Sequence, residues 1–142
     1  MSPVDRDVVD RKLRHILACL DALREWNGIS LQEYRRDRLR RKGTEKYLTE
    51  IAGAAVDLNY HLLVGLGEPP PTSYRESFLR LHARNVLSEE AARRLASLAG
   101  LRNRLIHLYE EIDDEKVYQV VQELPEWVRR YLEAVERCVG RD

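Results

Sequence analysis

Four polar residues lie close together in the stretch L-R-N-R-L-I-H-L-Y from 101 to 109: Arg102, Asn103, His107 and Tyr109. An imidazole titrates near neutrality, so His107 could accept or donate a proton. A guanidinium stays charged and can hold a phosphate by two hydrogen bonds, which stabilises a pentacovalent transition state. Asn103 could orient the imidazole or donate to the same phosphate. These are the groups a metal-free ribonuclease needs when the RNA 2′-hydroxyl is the nucleophile.

The leucines around this stretch predict which way the polar residues face. They follow a spacing of three and four residues that marks a narrow buried stripe on a helix: Leu98, Leu101, Leu105, Leu108 and Ile112. At about 100° per residue, Asn103 and His107 fall on roughly the opposite face. We therefore expect His107 to face water or a partner. Because one histidine cannot easily be base and acid at once, a two-fold dimer of this face would supply the second.

Nearly all of the chain is predicted to be helical. Apolar residues recur at helical spacing, Ser30-x-x-Glu33 and Ser73-x-x-Glu76 are capping boxes, and Gly65, Gly67 and Pro69-Pro70-Pro71 break the chain. The small residues 52–55 allow another helix to approach closely. We expect helices over about 5–26, from Ser30, from about 38 or 44 to 66, from Ser73 to about 82, over 88–112 and over 113–139.

These segments predict an all-α antiparallel bundle of five or six helices, as a single domain over 1–142. Pro125 lies inside the last predicted helix and is expected to kink or split it.

The composition excludes several classes of function. The 24 basic and 24 acidic residues give a net charge of zero, so only a local patch could bind nucleic acid. No apolar run is long enough for a membrane span, and the charged N-terminus is unlike a signal peptide, so we expect a cytoplasmic protein. Cys19 and Cys138 are expected to be buried thiols. The four histidines lack ligand spacing, and we expect neither a metal nor another cofactor.

A basic segment, R-R-D-R-L-R-R-K from 35 to 42, is the strongest local patch. Its cations could contact the RNA backbone electrostatically, or an acidic surface of a protein partner. A solvated helix end is the third interpretation. The six candidates are Arg35, Arg36, Arg38, Arg40, Arg41 and Lys42.

The motif and its flanks resemble the HepT-like HEPN-domain proteins, toxins of bacterial and archaeal toxin–antitoxin pairs. The family signature of Arg, Asn, three residues, His, one residue and Tyr matches 102–109 at every position. P-x-S-Y-R-E-S-F-x-x-L from 71, V-L-S-E-E-x-A-x-x-L from 86 and I-D-D-E-K-V-Y from 112 are similar to the family's flanking sequences. The resemblance extends over most of the chain, from about Arg6 to Val139.

This resemblance implies a homodimer with the two motif helices lining one cleft, and a metal-independent endoribonuclease in which Arg102 and His107 are catalytic and Asn103 supports them. It also implies an MntA-like nucleotidyltransferase antitoxin of a type VII system, which silences the toxin by transferring AMP to Tyr109. Since Tyr109 is predicted to lie almost over Arg102, the added nucleotide would neutralise that charge and fill the cleft.

Two further interpretations stay open from the sequence. The same helical dimer could be a non-catalytic scaffold or binding partner of a nucleotidyltransferase. Alternatively, Arg102, His107 and Tyr109 could form only hydrogen bonds across a dimer interface.

Overall fold

The computed structural model describes residues 4–107 and 112–140, and for His107 the backbone only. This part of the chain contains no strand. It forms six α-helices, with a short 3-10 helix at Arg24–Trp26 after the first. The helices are α1 Arg6–Leu23, α2 Leu31–Arg36, α3 Arg38–Gly65, α4 Tyr74–Ala83, α5 Glu89–His107 and α6 Asp114–Val139. The predicted all-α bundle of five or six helices is confirmed.

Polar side chains at the predicted positions start the helices. Ser30 accepts a hydrogen bond from the Glu33 N–H at 3.1 Å, and Ser73 accepts one from the Glu76 N–H at 3.0 Å. The Glu76 carboxylate accepts from the N–H of Thr72, one residue before the cap, instead of from the cap residue itself. Such bonds satisfy N–H groups that a helix leaves unpaired in its first turn.

The long helix α3 lies at the centre and packs against α1, α2, α4 and α5. A series of hydrogen-bonded polar side chains crosses the core beside α3. The Tyr131 hydroxyl of α6 contacts the Asn59 side-chain oxygen, and Asn59 Nδ2 donates to Ser77 Oγ of α4 at 3.0 Å. Ser77 Oγ in turn donates to the carbonyl of Tyr74 at 2.7 Å. Buried polar groups are tolerated where they are paired in this way, so the chain ties α6, α3 and α4 together.

Three expectations need correction. Ile112 is not helical, so α5 ends before the position predicted for its last residue. Helix α6 runs through Pro125 without a split, and the alternative expectation of a kink there stays a prediction. Val121, Leu124 and Val128 stay buried on both sides of this proline, and their packing outweighs the lost N–H and the steric cost. Of the two cysteines, Cys19 is buried as predicted, which raises the pKa of its thiol, whereas Cys138 is only half-buried.

Candidate active site

Arg102 is positioned by helices α3 and α4. Its guanidinium carbon lies 5.0 Å from the centroid of the Tyr74 ring, within the range of a cation–π contact. On the other side, a Cβ added to Gly53 would lie 3.7 Å from Arg102 Nε. The small-residue stretch of α3 therefore receives the Arg102 side chain as well as the helix that carries it.

No hydrogen bond or ion pair joins Arg102 to the described residues, and its Nε is buried without a partner. This arrangement is unusual, since buried polar atoms of proteins are nearly always hydrogen-bonded. The guanidinium is held by its face, and its N–H donors have no partner in the described part of the chain. Such a group can bind a phosphate without first breaking an internal ion pair.

The first turn of α4 fixes the residue beneath Arg102. Ser73 caps this turn, and Tyr74 is the first helical residue. The Glu76 carboxylate accepts hydrogen bonds from the hydroxyl and the N–H of Thr72. These two bonds lower the pKa of Glu76, with a further contribution from the positive charge of Arg80. Tyr74 keeps 44% of its surface exposed, so the site formed by Tyr74 and Gly53 around Arg102 is open to solvent at the tyrosine.

The other motif residues lie on the predicted face as far as the structure describes them. Asn103 is exposed and forms no hydrogen bond with the described part of the chain. Ile106 is also exposed, at 41% of its surface, which is notable for an isoleucine. His107 continues the same helix, but its side chain and Tyr109 lie outside the described residues. The assignment of Asn103 to an outward face is confirmed, and that of the His107 side chain stays a prediction.

The basic segment lies at the same end of the bundle as the motif. Arg41 binds Asp114, the first residue of α6, at 2.7 Å, and Arg35 lies 3.9 Å from Glu115. These pairs hold the basic segment against the first turn of α6. In the sequence, α6 begins seven residues after His107 of the motif.

Internal ion pairs occupy most of this segment. Besides Arg35 and Arg41, Arg40 pairs with Glu25 at 3.2 Å and Lys42 with Glu45 at 3.4 Å. Arg36 and Arg38 are exposed and have no ion pair within 4–107 or 112–140. Of the six residues predicted to contact RNA or a protein partner, Arg36 and Arg38 are therefore the ones whose charges are not already paired within the described residues.

Sequence reasoning missed the partnership of Arg102 with Tyr74 and Gly53. The three residues come from three different helices, so no spacing along the chain indicates their contact. The one sequence feature that could have drawn attention to Tyr74 is its place in the P-x-S-Y-R-E-S-F stretch, which is similar to a flanking sequence of the family.

Comparison with known proteins identifies the family to which the chain belongs. A sequence model of the family described as ribonuclease HepT-like matches residues 16–135. The chain belongs to the HepT-like ribonuclease family. It is 32% identical over 134 residues to the tRNA nuclease HepT of Aphanizomenon flos-aquae, covering 92% of this chain and 91% of that relative. It is 24% identical over 130 residues to the mRNA nuclease HepT of Shewanella oneidensis, with 92% and 97% covered.

Solved structures share the HepT-like fold. A tri-AMPylated HEPN toxin of Shewanella oneidensis, solved in complex with its MNT antitoxin, superposes with a TM-score of 0.85 at 23% identity. The match covers 92% of this chain and 98% of that toxin. The bundle is therefore HEPN-like, as the resemblance of the motif implied.

Two other features are absent from the described residues. No helix there is long and apolar enough to cross a membrane. That part of the chain also lacks any group of three or more His, Cys, Asp or Glu side chains arranged to hold a metal ion.

Proposed function

We propose that this HepT-like protein is the ribonuclease toxin of a HepT/MntA toxin–antitoxin pair and acts as a homodimer in the cytoplasm. The observation that carries the proposal is the environment of Arg102. This cation has no hydrogen-bond or ion-pair partner among the described residues, and it lies one residue from an exposed asparagine and five from a histidine on the same helix. A protein that used this face only for packing would gain nothing from leaving the guanidinium unpaired. Both curated relatives carry the name of nuclease, one for tRNA and one for mRNA.

The proposed reaction needs no metal. His107 takes the proton from an RNA 2′-hydroxyl, and the resulting oxygen attacks the adjacent phosphorus. Arg102 binds the phosphate oxygens, on which negative charge develops in the transition state, and Asn103 supports the same group. The bond from phosphorus to the 5′ oxygen then breaks, and this oxygen takes a proton from an acid. In a two-fold dimer that acid is the second copy of His107. The products end in a 2′,3′-cyclic phosphate and a 5′-hydroxyl.

Silencing of the toxin is proposed to occur on Tyr109. The phenolic oxygen attacks the α-phosphate of ATP held by an MntA-like nucleotidyltransferase, pyrophosphate leaves, and AMP stays on the tyrosine. Tyr109 is two residues after His107, so the nucleotide adds negative charge and bulk next to the catalytic group. The similar Shewanella toxin is described as tri-AMPylated and was solved with its antitoxin.

The cleavage is tested with protein made without its antitoxin, after its mass has shown Tyr109 to be unmodified. Wild type and His107→Ala are incubated with a mixed RNA pool. His15→Ala is the matched control, since His15 lies exposed on α1. We expect cleavage by wild type and by His15→Ala, and none by His107→Ala. An unmodified, dimeric wild type that leaves the pool intact would refute the ribonuclease and favour a non-catalytic scaffold for the nucleotidyltransferase.

The modification is tested by incubating the purified protein with an MntA-like nucleotidyltransferase and ATP. Mass spectrometry of the tryptic peptides should find AMP on Tyr109, together with loss of RNA cleavage. Tyr109→Phe should cleave RNA and stay active in the same mixture. An unmodified Tyr109 in a silenced protein would contradict this mechanism of silencing.

A further inference from the structure

A groove with a cavity volume of about 340 Å³ runs between α5 and α6. Its floor is apolar and consists of leucines that belong to the core, among them Leu98, Leu101 and Leu124. Ligand sites of proteins typically have volumes from about 300 Å³ upward and apolar linings with a few polar groups. The groove is therefore of a size that accepts a nucleobase.

Cations line the rim of this groove at the end nearest the motif. Arg104 belongs to α5 and Lys116 to α6, both are exposed, and neither has a carboxylate partner within the described part of the chain. Arg104 lies two residues after Arg102, so it projects about 200° away around the helix. The motif helix thus directs Arg102 toward α3 and α4 and Arg104 into the groove, with Asn103 between them.

An aromatic wall closes the other end. The Trp127 ring has the guanidinium carbon of Arg130 at 4.6 Å and that of Arg94 at 5.4 Å from its centroid. Arg94 also lies 3.7 Å from the carboxylate of Glu123 on the rim. Trp127 is half-buried, so part of its indole borders the open space. Among the described residues, the lining holds three cations and the one carboxylate of Glu123, which matches a polyanion.

We propose that this groove binds a single-stranded segment of RNA beside the cleaved bond. The bases lie on the leucine floor and against Trp127, and the phosphates contact Arg104 and Lys116. A charged groove with an aromatic surface is the general solution for binding single strands without reading their sequence. The inference rests on the proposed function, because it takes RNA as the substrate and extends its path beyond the motif.

A second copy of this chain fits the groove less well than RNA does. In a two-fold interface the same surface meets itself, so the excess positive charge of the groove would face an equal excess on the second copy. Like charges placed opposite one another oppose association. The apolar floor alone would suit either occupant, but the unpaired cations favour an anionic one.

The test measures binding separately from cleavage. The probe is a short 2′-O-methyl RNA of mixed sequence, which lacks the nucleophilic hydroxyl and stays intact. Trp26 is 3% exposed, whereas Trp127 borders the groove, so a change in tryptophan fluorescence reports Trp127. The test variant is Arg104→Glu with Lys116→Glu. The control is Arg11→Glu with Arg129→Glu, which makes the same change in charge at exposed residues outside the groove.

We expect the probe to change the fluorescence of wild type and control, and to bind the groove variant at least about tenfold more weakly. Each single-strand phosphate contact contributes about 0.7 to the slope of log affinity against log salt concentration, so that slope should become shallower by about 1.4. Equal affinities and slopes for groove variant and control would overturn the inference. So would a groove variant that has become monomeric while wild type is dimeric, because the groove would then be an interface between copies.

The outcome also separates this inference from the proposed function. A wild type that cleaves RNA, with a groove variant that binds and cleaves like the control, would refute the groove and leave the ribonuclease standing. A wild type that binds the probe through Arg104 and Lys116 but cleaves no RNA would support the groove and refute the ribonuclease.

Discussion

At the scale of single residues, the central feature is a cation held by packing alone. Arg102 lies over Tyr74 and beside Gly53, and its donors have no partner among the described residues. A carboxylate in place of the tyrosine would hold the guanidinium more tightly, but it would compete with the RNA phosphate for the same N–H groups. The aromatic ring orients the cation and leaves these donors free.

The first prediction concerns Tyr74. Replacing it by Ala removes the cation–π contact, which is worth about 1 kcal/mol at a partly exposed site. We expect the rate of RNA cleavage to fall about fivefold, mainly in kcat, because the charge on the phosphate is greatest in the transition state. Tyr74→Phe keeps the ring and should cleave like wild type. Steady-state kinetics of the three proteins, with thermal midpoints to establish equal folding, checks this expectation.

Equal rates for Tyr74→Ala and Tyr74→Phe would mean that the ring does not position Arg102. A loss shared by both variants would instead assign the effect to the hydroxyl, which the present account leaves without a role.

Some contacts of single residues could be predicted from the sequence and others could not. The motif spacing placed Asn103 on an outward face correctly, because a helix converts spacing into direction. The same spacing carried no information on Tyr74 and Gly53, since contacts between helices depend on how those helices cross. Nor did it indicate that Arg104 and Trp127 border one groove.

At the scale of the helices, a buried polar chain links three of them. Tyr131, Asn59 and Ser77 are all almost fully buried, and the last hydrogen bond of the series goes to the carbonyl of Tyr74. The elements that support Arg102 are therefore held in register by hydrogen bonds as well as by apolar packing.

The second prediction follows from this chain. Asn59→Ala removes the two buried hydrogen bonds of its central member, whereas the Tyr131 hydroxyl can still donate to the Ala55 carbonyl and Ser77 Oγ to the Tyr74 carbonyl. A hydrogen bond contributes about 0.5–1.5 kcal/mol to stability, so the free energy of unfolding should fall by about 2 kcal/mol. Urea denaturation followed by circular dichroism measures it. Thr49 lies in the same helix but outside this hydrogen-bonded network, so Thr49→Ala should lower the free energy of unfolding by less. Equal losses for the two variants would contradict the special role of Asn59.

The third prediction concerns the basic segment. Arg36 and Arg38 lack ion pairs in the described structure, whereas Arg41 is held by Asp114. We expect Arg36→Glu with Arg38→Glu to weaken binding of RNA or of the antitoxin without lowering the thermal midpoint. Arg41→Ala should instead lower the midpoint, because it leaves the half-buried Asp114 unpaired.

Titrations of RNA and of the antitoxin, each at several salt concentrations, distinguish the two partners for this segment. Arg11→Glu with Arg14→Glu on α1 is the control of equal charge. If the variant at 36 and 38 binds both partners like this control, the segment is a solvated helix end.

The starts of the capped helices were the most predictable part of the fold. Ser30 and Ser73 start α2 and α4 as expected, because a cap acts locally through a hydrogen bond three residues away. Local signals were less successful where packing dominates. Pro125 opposes a continuous helix, yet the buried face on both sides of it keeps α6 in one piece. The six cations of the basic segment form one patch in the sequence, but four of them pair with carboxylates. Three of these carboxylates come from other parts of the chain, and Glu45 lies on the same helix as its partner Lys42.

For the whole molecule, two buried tyrosines predict how stability depends on pH. Burial raises the pKa of Tyr34, with further contributions from Glu45 and Asp114, and burial also raises that of Tyr131. In the unfolded chain both phenols ionise near pH 10. Their neutral forms therefore favour the fold fully below about pH 10, and this contribution is lost as the pH rises toward the folded values.

The fourth prediction is a loss of stability of about 1.4 kcal/mol per pH unit from each of these tyrosines above about pH 10. Tyr131→Phe should halve that slope, whatever it costs at neutral pH. Urea midpoints measured between about pH 9 and pH 11 check this. A slope equal to that of wild type would mean that Tyr131 ionises in the folded protein as readily as in the unfolded one.

The measurement that tests the central claim most directly is the chemistry of the cut ends. The unmodified wild-type dimer is incubated with RNA in the presence of EDTA, and the products are analysed by mass spectrometry. The account predicts cleavage with 2′,3′-cyclic phosphate on one fragment and 5′-hydroxyl on the other, because the 2′-oxygen is the nucleophile and His107 moves the protons. Fragments carrying a 5′-phosphate and a free 3′-hydroxyl, or cleavage that EDTA abolishes, would contradict it.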